Sequence, residues 1–576
     1  MCKVYFSQYD KEIEVKENSL LIDVIRKNGF ELETPCNSKG ICGKCRVKVY
    51  GIKSEPREEE KKFLSNINER LACLTRVNED IRVEFLLDKG KVLKTINEGY
   101  SLLDVELDSR VHIKNFKEID LSKLKSYMED LELKVRDLQI IKTLGNLDRN
   151  HKRDFYGVIF EDTIIDLLEE KREILGIALD IGTTGISAYL LNLENGHVIN
   201  RTSELNPQTV FGGDVISRIS FAMEEKDGIY KLQKVMVDKI NEIIKELLTD
   251  KFNKENIYNL AVSANTTMLH MLLGINPSSI AKAPYKAVFL DSLDLNPIDL
   301  GIEINPKGVI TILPAISSYV GADITSGLVA IDIESYKSLL FIDIGTNGEI
   351  VLLKDGKLFS TSTAAGPALE GMNISCGMRA ENGAIEGFSL DENFNISYST
   401  IGEVEPRGIC GSGLLDITGA LINLKLIEPS GRFSKNIPYE LSHNFRDKKF
   451  YITDEIYISQ KDIRQIQLAK GAIASGINML LKEIDSSIED IDHVVIAGAF
   501  GYHLKEESIK SVGIIPKGFK GNMKFVGNSS VEGAKIALLN KHKLSKMLDI
   551  KNKVEVVDLN SKDYFQKYFV EALNFK

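Results

Sequence analysis

A multidomain α/β protein is expected from this sequence, a small cysteine-bearing β-rich unit followed by a larger part with an internal repeat. Three observations carry the expectation. Cys36, Cys42 and Cys45 crowd the stretch "CNSKGICGKC", with a fourth cysteine, Cys73, further on. Two distant segments, "IALDIGTTGISAYLLNLENGHVI" and "LLFIDIGTNGEIVLLKDGKLFS", read as copies of one another. At 576 residues the chain is also too long for a single core.

Composition narrows the classes of function. A net charge of -10 gives no basic surface for nucleic acid, so none is expected as a partner. Hydrophobic residues make up 43% and charged residues 27%, and no uncharged apolar run reaches the length of a membrane span. The start, "MCKVYFSQYDKEIEV", lacks a basic segment leading into an apolar core, so a cytoplasmic location is expected. Seven cysteines then read as thiols or metal ligands rather than disulfides.

The opening segment, "KVYFSQYDKEIEVKENSLLIDVIRKNGFELE", predicts two strands joined by a turn and then a helix from about Leu20 to Gly29. The cysteines follow as C-x5-C-x2-C, and "CRVKVYG" alternates like a strand. Thiolates at Cys36, Cys42, Cys45 and Cys73 suit zinc or an iron-sulfur cluster, both soft enough to prefer sulfur. Zinc ribbons pair two C-x2-C knuckles, whereas three cysteines in one glycine-bearing loop and a distant fourth match 2Fe-2S ferredoxins. Zinc remains the competing ligand. The resemblance to a β-grasp 2Fe-2S ferredoxin covers about residues 1–88.

Residues 89–110 read as a linker and 111–174 as a small middle domain. Within them "SKLKSYMEDLELKVRDLQIIKTLGNLDRN" has apolar spacing suited to helices.

Each copy of the repeat is an apolar strand ending in Asp-Ile-Gly-Thr, a polar turn, a second strand, a hairpin and a third strand. Glycine-rich turns expose backbone amides to an anion, and small hydroxyl side chains add hydrogen bonds. Gly182, Thr183 and Thr184 in the first turn, and Gly345, Thr346, Asn347 and Gly348 in the second, are therefore candidate phosphate contacts. Asp180 and Asp343 would repel bare phosphate, so they make sense through a bridging Mg²⁺ or by orienting water. "IDHVVIAGAFGYHL" adds a buried strand followed by Gly498, Ala499 and Gly501, suited to approach by adenosine.

These three elements resemble the two phosphate motifs and the adenosine motif of the actin, sugar-kinase and heat-shock ATPase superfamily. That resemblance implies an ATPase of two ribonuclease-H-like halves over residues 175–576. Joined to a ferredoxin domain, the set resembles the reductive activators of corrinoid proteins. "NPQTVFGGDVISRI", "SANTTMLHMLLG", "YVGADITSG", "AAGPALEGMNISCGMRAENGAI", "GICGSGLLD", "DIRQIQLAKGAIASGI" and "VGNSSVEGA" carry the resemblance further. Gly366 and Glu370 follow the second phosphate hairpin and would line the cleft. Gly411, Ser412 and Gly413 read first as a packed helix start and second as nucleotide contacts. Asp323 is a candidate for Mg²⁺ or water positioning, with a helix cap as the competing role.

The resemblance implies ATP-dependent transfer of one electron from a 2Fe-2S cluster to the cob(II)alamin of a corrinoid protein partner, with ATP and Mg²⁺ as cofactors. It also implies a low-potential electron donor and a homodimer. Some activators of methylamine systems end in two 4Fe-4S clusters; residues 540–576 contain no cysteine, so that branch is not expected. The competing functions are a metabolite kinase with a redox-regulatory ferredoxin domain and a redox-sensing binding module.

Overall fold

The computed structural model describes residues 2–9, 11–28, 32, 40, 43, 45–64, 66–86, 105–117, 129–147, 155–498, 504–559 and 565–575. The chain divides into two compact units, one of residues 1–93, 205–236 and 270–284, the other of the remainder.

In the first unit, strands Cys2–Phe6 and Lys11–Val15 pair antiparallel, and the first also pairs parallel with Ile81–Phe85. Arg46–Tyr50 and Glu69–Leu71 complete a five-stranded sheet. Cys2, Val4 and Phe6 alternate inward, as a half-buried strand requires, and helix Leu21–Lys27 lays Leu21, Ile22 and Ile25 in the same core. A sheet wrapped around one helix is the β-grasp arrangement expected of the ferredoxin domain.

In the second unit, strands Val111–Phe116, Phe155–Phe160, Thr163–Leu168 and Lys134–Val135 form a four-stranded sheet covered by helix Leu138–Leu147, with Phe116, Ile140, Phe155 and Ile159 inside. The helical spacing expected upstream is interrupted. Glu132 adopts a left-handed φ of 55°, and Lys134–Val135 pairs with Thr163–Ile164 as a strand. Arg110 ties this sheet to the next one, binding Glu161 at 2.7 Å and Asp294 at 2.6 Å while stacking on Phe160.

The repeat is confirmed by topology. Strands β1 (Leu175–Ile181), β2 (Gly185–Asn192), β3 (Val198–Leu205), β4 (Ile257–Ala264) and β5 (Val309–Ile312) stand in the order β3-β2-β1-β4-β5. Strands β6 (Ser338–Ile344), β7 (Gly348–Lys354), β8 (Lys357–Thr363), β9 (His493–Ala497) and β10 (Asn522–Gly527) repeat it as β8-β7-β6-β9-β10. In both sheets the first strand pairs antiparallel with the second and parallel with the fourth. This is the ribonuclease-H-like half, present twice. β1 and β4 are buried at every position, because helices cover both faces of a parallel strand pair.

Four helices position the site: α1 (Ala322–Ala330), α2 (Gly411–Asn423), α3 (Gln460–Glu483) and α4 (Ser529–Leu539). Helices α1 and α4 pack with their backbones nearly touching; a Cβ on Gly533 would lie 2.2 Å from the Ser326 carbonyl oxygen. α4 also packs on β1 and β4, so the end of the chain returns to the first sheet. Among the described residues no helix is long and apolar enough to cross a membrane.

Candidate functional site

Two regions carry chemistry. In the first unit, Cys45 and Cys73 are buried with their sulfurs 3.2 Å apart. Gly40 and Gly43 take φ of +73° and +69°, and a Cβ on Gly43 would lie 2.5 Å from the Phe63 ring, so glycine is required. Two converging buried thiols beside a glycine-shaped loop fit a soft metal centre. Cys36 and Cys42 lie outside the described residues.

The second region lies wholly in the second unit, where the repeated turns meet. Thr184 Oγ1 and Thr346 Oγ1 are 3.4 Å apart, and both hydroxyls donate to Glu370 Oε2, at 3.1 and 3.2 Å. Asn265 Nδ2 donates to Thr183 Oγ1 at 3.1 Å. The turns are shaped by their glycines: a Cβ on Gly182 would lie 2.9 Å from the Gly185 carbonyl oxygen. Gly345 N–H donates to the Asn347 carbonyl at 2.9 Å, and Gly366 takes a φ of +74° with open space around it.

The copies differ by one residue of register. Ile181 pairs with Ile186 across the first turn, whereas Ile344 pairs with Gly348 across a tighter one. Asp180 therefore faces Ser187, but Asp343 faces Glu349, and directly opposite residues point to the same side of a sheet. Burial and then the Asp323 charge push both the Asp343 and Glu349 carboxyls well above the usual carboxylate range. Burial and the Asp180 charge push Asp323 up to about 7.

Carboxylates brought this close call for protons or a cation between them. Among the described residues no three His, Cys, Asp or Glu side chains are arranged to hold a metal by themselves. A Mg²⁺ here fits as an ion that keeps several waters and takes phosphate oxygens, touching one or two carboxylates.

Asp180 is held differently from its counterpart. Asn528 Nδ2 donates to its Oδ2 at 2.7 Å and the Ser530 hydroxyl to its Oδ1 at 2.6 Å. Burial raises its pKa while these two donors act to lower it. Ser530 Oγ also lies 2.8 Å from Ser263 Oγ, which lies 3.0 Å from Ser326 Oγ. The stretches "VGNSSVEGA", "SANTTMLHMLLG" and "YVGADITSG" thus converge behind one carboxylate.

Other expected site residues have packing roles. The cap of α1 is Gly321, not Asp323, which sits in the first turn with its carboxylate accepting from Ile324 N–H at 3.0 Å. A Cβ on Gly348 would lie 2.9 Å from Ile473 Cγ1 of α3, and one on Gly413 2.1 Å from the Ile385 carbonyl oxygen. Gly411 and Ser412 are buried with Gly413 at the start of α2, and Asp416 of that helix accepts from the Ser508 hydroxyl at 2.6 Å. Gly498 follows β9 with a φ of +129°; Ala499 and Gly501 lie outside the described residues. Asn265, Glu349, Asn528 and Ser530 are site residues that the sequence reading did not single out.

Fold and site together define an ATPase of two ribonuclease-H-like halves in a chain that opens with a ferredoxin domain. Comparison with known proteins agrees. Residues 4–78 match a family model for the 2Fe-2S iron-sulfur cluster binding domain, 175–336 one for the RACo middle region, and 337–576 one for the C-terminal ASKHA domain of RACo. The corrinoid activation enzyme RamQ of Eubacterium limosum is 33% identical over 571 residues, covering 94% of this chain and 93% of the relative. The [Co(II) methylated amine-specific corrinoid protein] reductase of Methanosarcina barkeri is 26% identical, covering 69% of this chain and 77% of the relative. The solved structure of a reductive activator for corrinoid, iron-sulfur protein covers 100% of this chain and 98% of its own, with 31% identity and a TM-score of 0.75. The chain belongs to the family of reductive activators of corrinoid proteins.

Proposed function

We propose that this chain uses ATP to drive one electron from an N-terminal 2Fe-2S cluster to the cob(II)alamin of a corrinoid protein, regenerating cob(I)alamin in a methyl-transfer system. The observation that carries the reading is the meeting of the two Asp-Ile-Gly-Thr turns, Thr184 and Thr346 being 3.4 Å apart, in a chain that also has a ferredoxin domain. The relatives' activity supports it rather than the kinase alternative.

Cys36, Cys42, Cys45 and Cys73 would hold the cluster, which supplies one electron at a time. The electron given to cobalt is replaced from a low-potential donor. Thr183, Thr184, Thr346 and Asn347, with the amides of Gly182, Gly345, Gly348 and Gly366, would contact phosphates. Asp180, fixed by Asn528 and Ser530, and Asp343, facing Glu349, would orient water and the hydrated Mg²⁺, with Asp323 behind them. Gly411, Ser412 and Gly413 would be nucleotide contacts, and Gly498 and Ala499 belong to the adenosine side of the reading.

Such a cluster alone is not reducing enough for the cob(II)alamin couple. A switch between two cleft states is of the right size, since a full change of population takes about 5.5 kcal/mol, or roughly 240 mV for one electron. A division into 1–88, 89–110, 111–174 and 175–576, a homodimer and a cytoplasmic location complete the proposal.

The test is reduction of a cob(II)alamin protein by a low-potential donor through this chain, with and without ATP, followed by visible absorption. Cob(I)alamin should form in the presence of ATP. Phosphoryl transfer to a small metabolite in place of water would favour the kinase.

A further inference from the structure

Glu370 stands where the two phosphate turns meet, and its chemistry there is not that of a phosphate ligand. An ionised carboxylate only accepts hydrogen bonds, as does a phosphate oxygen. Glu370 Oε2 takes the Thr184 hydroxyl at 3.1 Å and the Thr346 hydroxyl at 3.2 Å, one from each copy of the repeat. Each hydroxyl has a single proton, so one that donates to Glu370 cannot at the same time donate to phosphate. Glu370 and a phosphate oxygen therefore compete for the same two donors.

Resting on the reading of this cleft as a nucleoside triphosphate site, we infer that Glu370 is a phosphate sensor: its carboxylate holds Thr184 and Thr346 together and yields both hydroxyls to an incoming phosphate. No covalent bond changes in the exchange; one anionic acceptor replaces another.

Glu370 ends the short turn Pro367–Glu370, flanked by Gly366 and Gly371, whose φ values are +74° and +78°. Before the turn there is open space, since a Cβ on Gly366 meets nothing within 4 Å. After it the backbone is wedged, since a Cβ on Gly371 would lie 2.2 Å from the Met378 carbonyl oxygen. Residues 372–382 thus lie directly against the turn that carries Glu370. That segment is anchored to α3, where Asp462 accepts from Ser375 N–H at 2.8 Å. Burial raises the Glu370 pKa above its ordinary value, while the Thr184 hydroxyl, the Arg379 charge and the Thr346 hydroxyl act to lower it; the segment thus also holds a cation, Arg379, that a released carboxylate can face.

The experiment is calorimetric titration of the full chain with Mg²⁺-ATP and with adenosine. Glu370→Gln keeps the shape and removes the charge; Glu370→Ala is the second variant, and circular dichroism confirms folding of each. Charged hydrogen bonds exceed neutral ones by enough that Glu370→Gln should bind ATP about tenfold more tightly, with adenosine affinity unchanged. The gain should vanish when Thr184 and Thr346 are both valine, which a purely structural Glu370 would not predict. Weaker or unchanged ATP affinity in both glutamate variants would overturn the sensor. Failure of the wild-type chain to bind ATP at all would instead overturn the nucleotide reading beneath it.

Discussion

Asn528→Ala removes two hydrogen bonds through one side chain. Asn528 Nδ2 donates to Asp180 Oδ2 at 2.7 Å, and its Oδ1 accepts from Val531 N at 3.1 Å as the cap of α4. A bond to a charged partner contributes about 1.5–3 kcal/mol and a cap about 1 kcal/mol, so the loss should be about 3 kcal/mol. Asp180 is only 9% exposed, and water cannot readily replace the donor. Asn528→Asp separates the two effects. It keeps an acceptor for the cap but opposes Asp180 with a second carboxylate, so its deficit should shrink as pH falls and one of the pair is protonated. The chain has no tryptophan, so unfolding is best followed by far-UV circular dichroism in denaturant. ATP affinity of both variants is measured beside it. If Asn528→Ala unfolded within about 0.5 kcal/mol of wild type, the ordinary range for a surface change, the clamp on Asp180 would be refuted.

Three further outcomes follow from the same geometry. Cys42→Ala and Cys73→Ala should each abolish the visible absorption of the 2Fe-2S centre while leaving ATP affinity in place; an intact spectrum would remove that cysteine from the ligand set. Asp323, pushed up to about 7, holds its proton more tightly folded than unfolded. Its stability contribution is therefore full below the ordinary carboxylate range and is lost as pH rises through about 7; Asp323→Asn should flatten that fall in denaturant titrations at several pH values. Gly533→Ala forces a Cβ to 2.2 Å from the Ser326 carbonyl oxygen and should cost about 1–3 kcal/mol by pushing α4 off α1, with weaker ATP binding as Ser530 moves from Asp180.

The duplicated hairpins were legible because strand periodicity and turn residues are local signals, and both copies fold with the same strand order. The ferredoxin strands were legible for the same reason. The short strand Lys134–Val135 was not, since its pairing with Thr163–Ile164 is a tertiary contact that overrides apolar spacing. Asn528 and Ser530 escaped notice because they meet Asp180 from the far end of the chain, through the return of α4 to the first sheet. Their trace in the sequence was the run of small polar residues at the strand-to-helix turn of "VGNSSVEGA". Glu349 was not legible, because both copies are equally long through the turn and only the fold shows the second one tighter by one residue, which puts a carboxylate opposite Asp343 where the first copy has Ser187 opposite Asp180. Gly348 shows the converse. Glycine in a phosphate-like pattern was read for the ligand, while α3 also demands it; at Gly413 the packed helix start was read first, and the Ile385 carbonyl lies against it.

The central claim is that ATP, acting at the paired turns, drives electron transfer to cobalt. Its most direct test compares wild type with Asp343→Ala in single-turnover reduction of a cob(II)alamin protein, with the cluster reduced beforehand and ATP present or absent. The account predicts ATP-dependent cob(I)alamin formation by wild type, and an Asp343→Ala chain that keeps its cluster spectrum but loses the ATP dependence. Equal reduction by both chains, or reduction by wild type that ignores ATP, would contradict it.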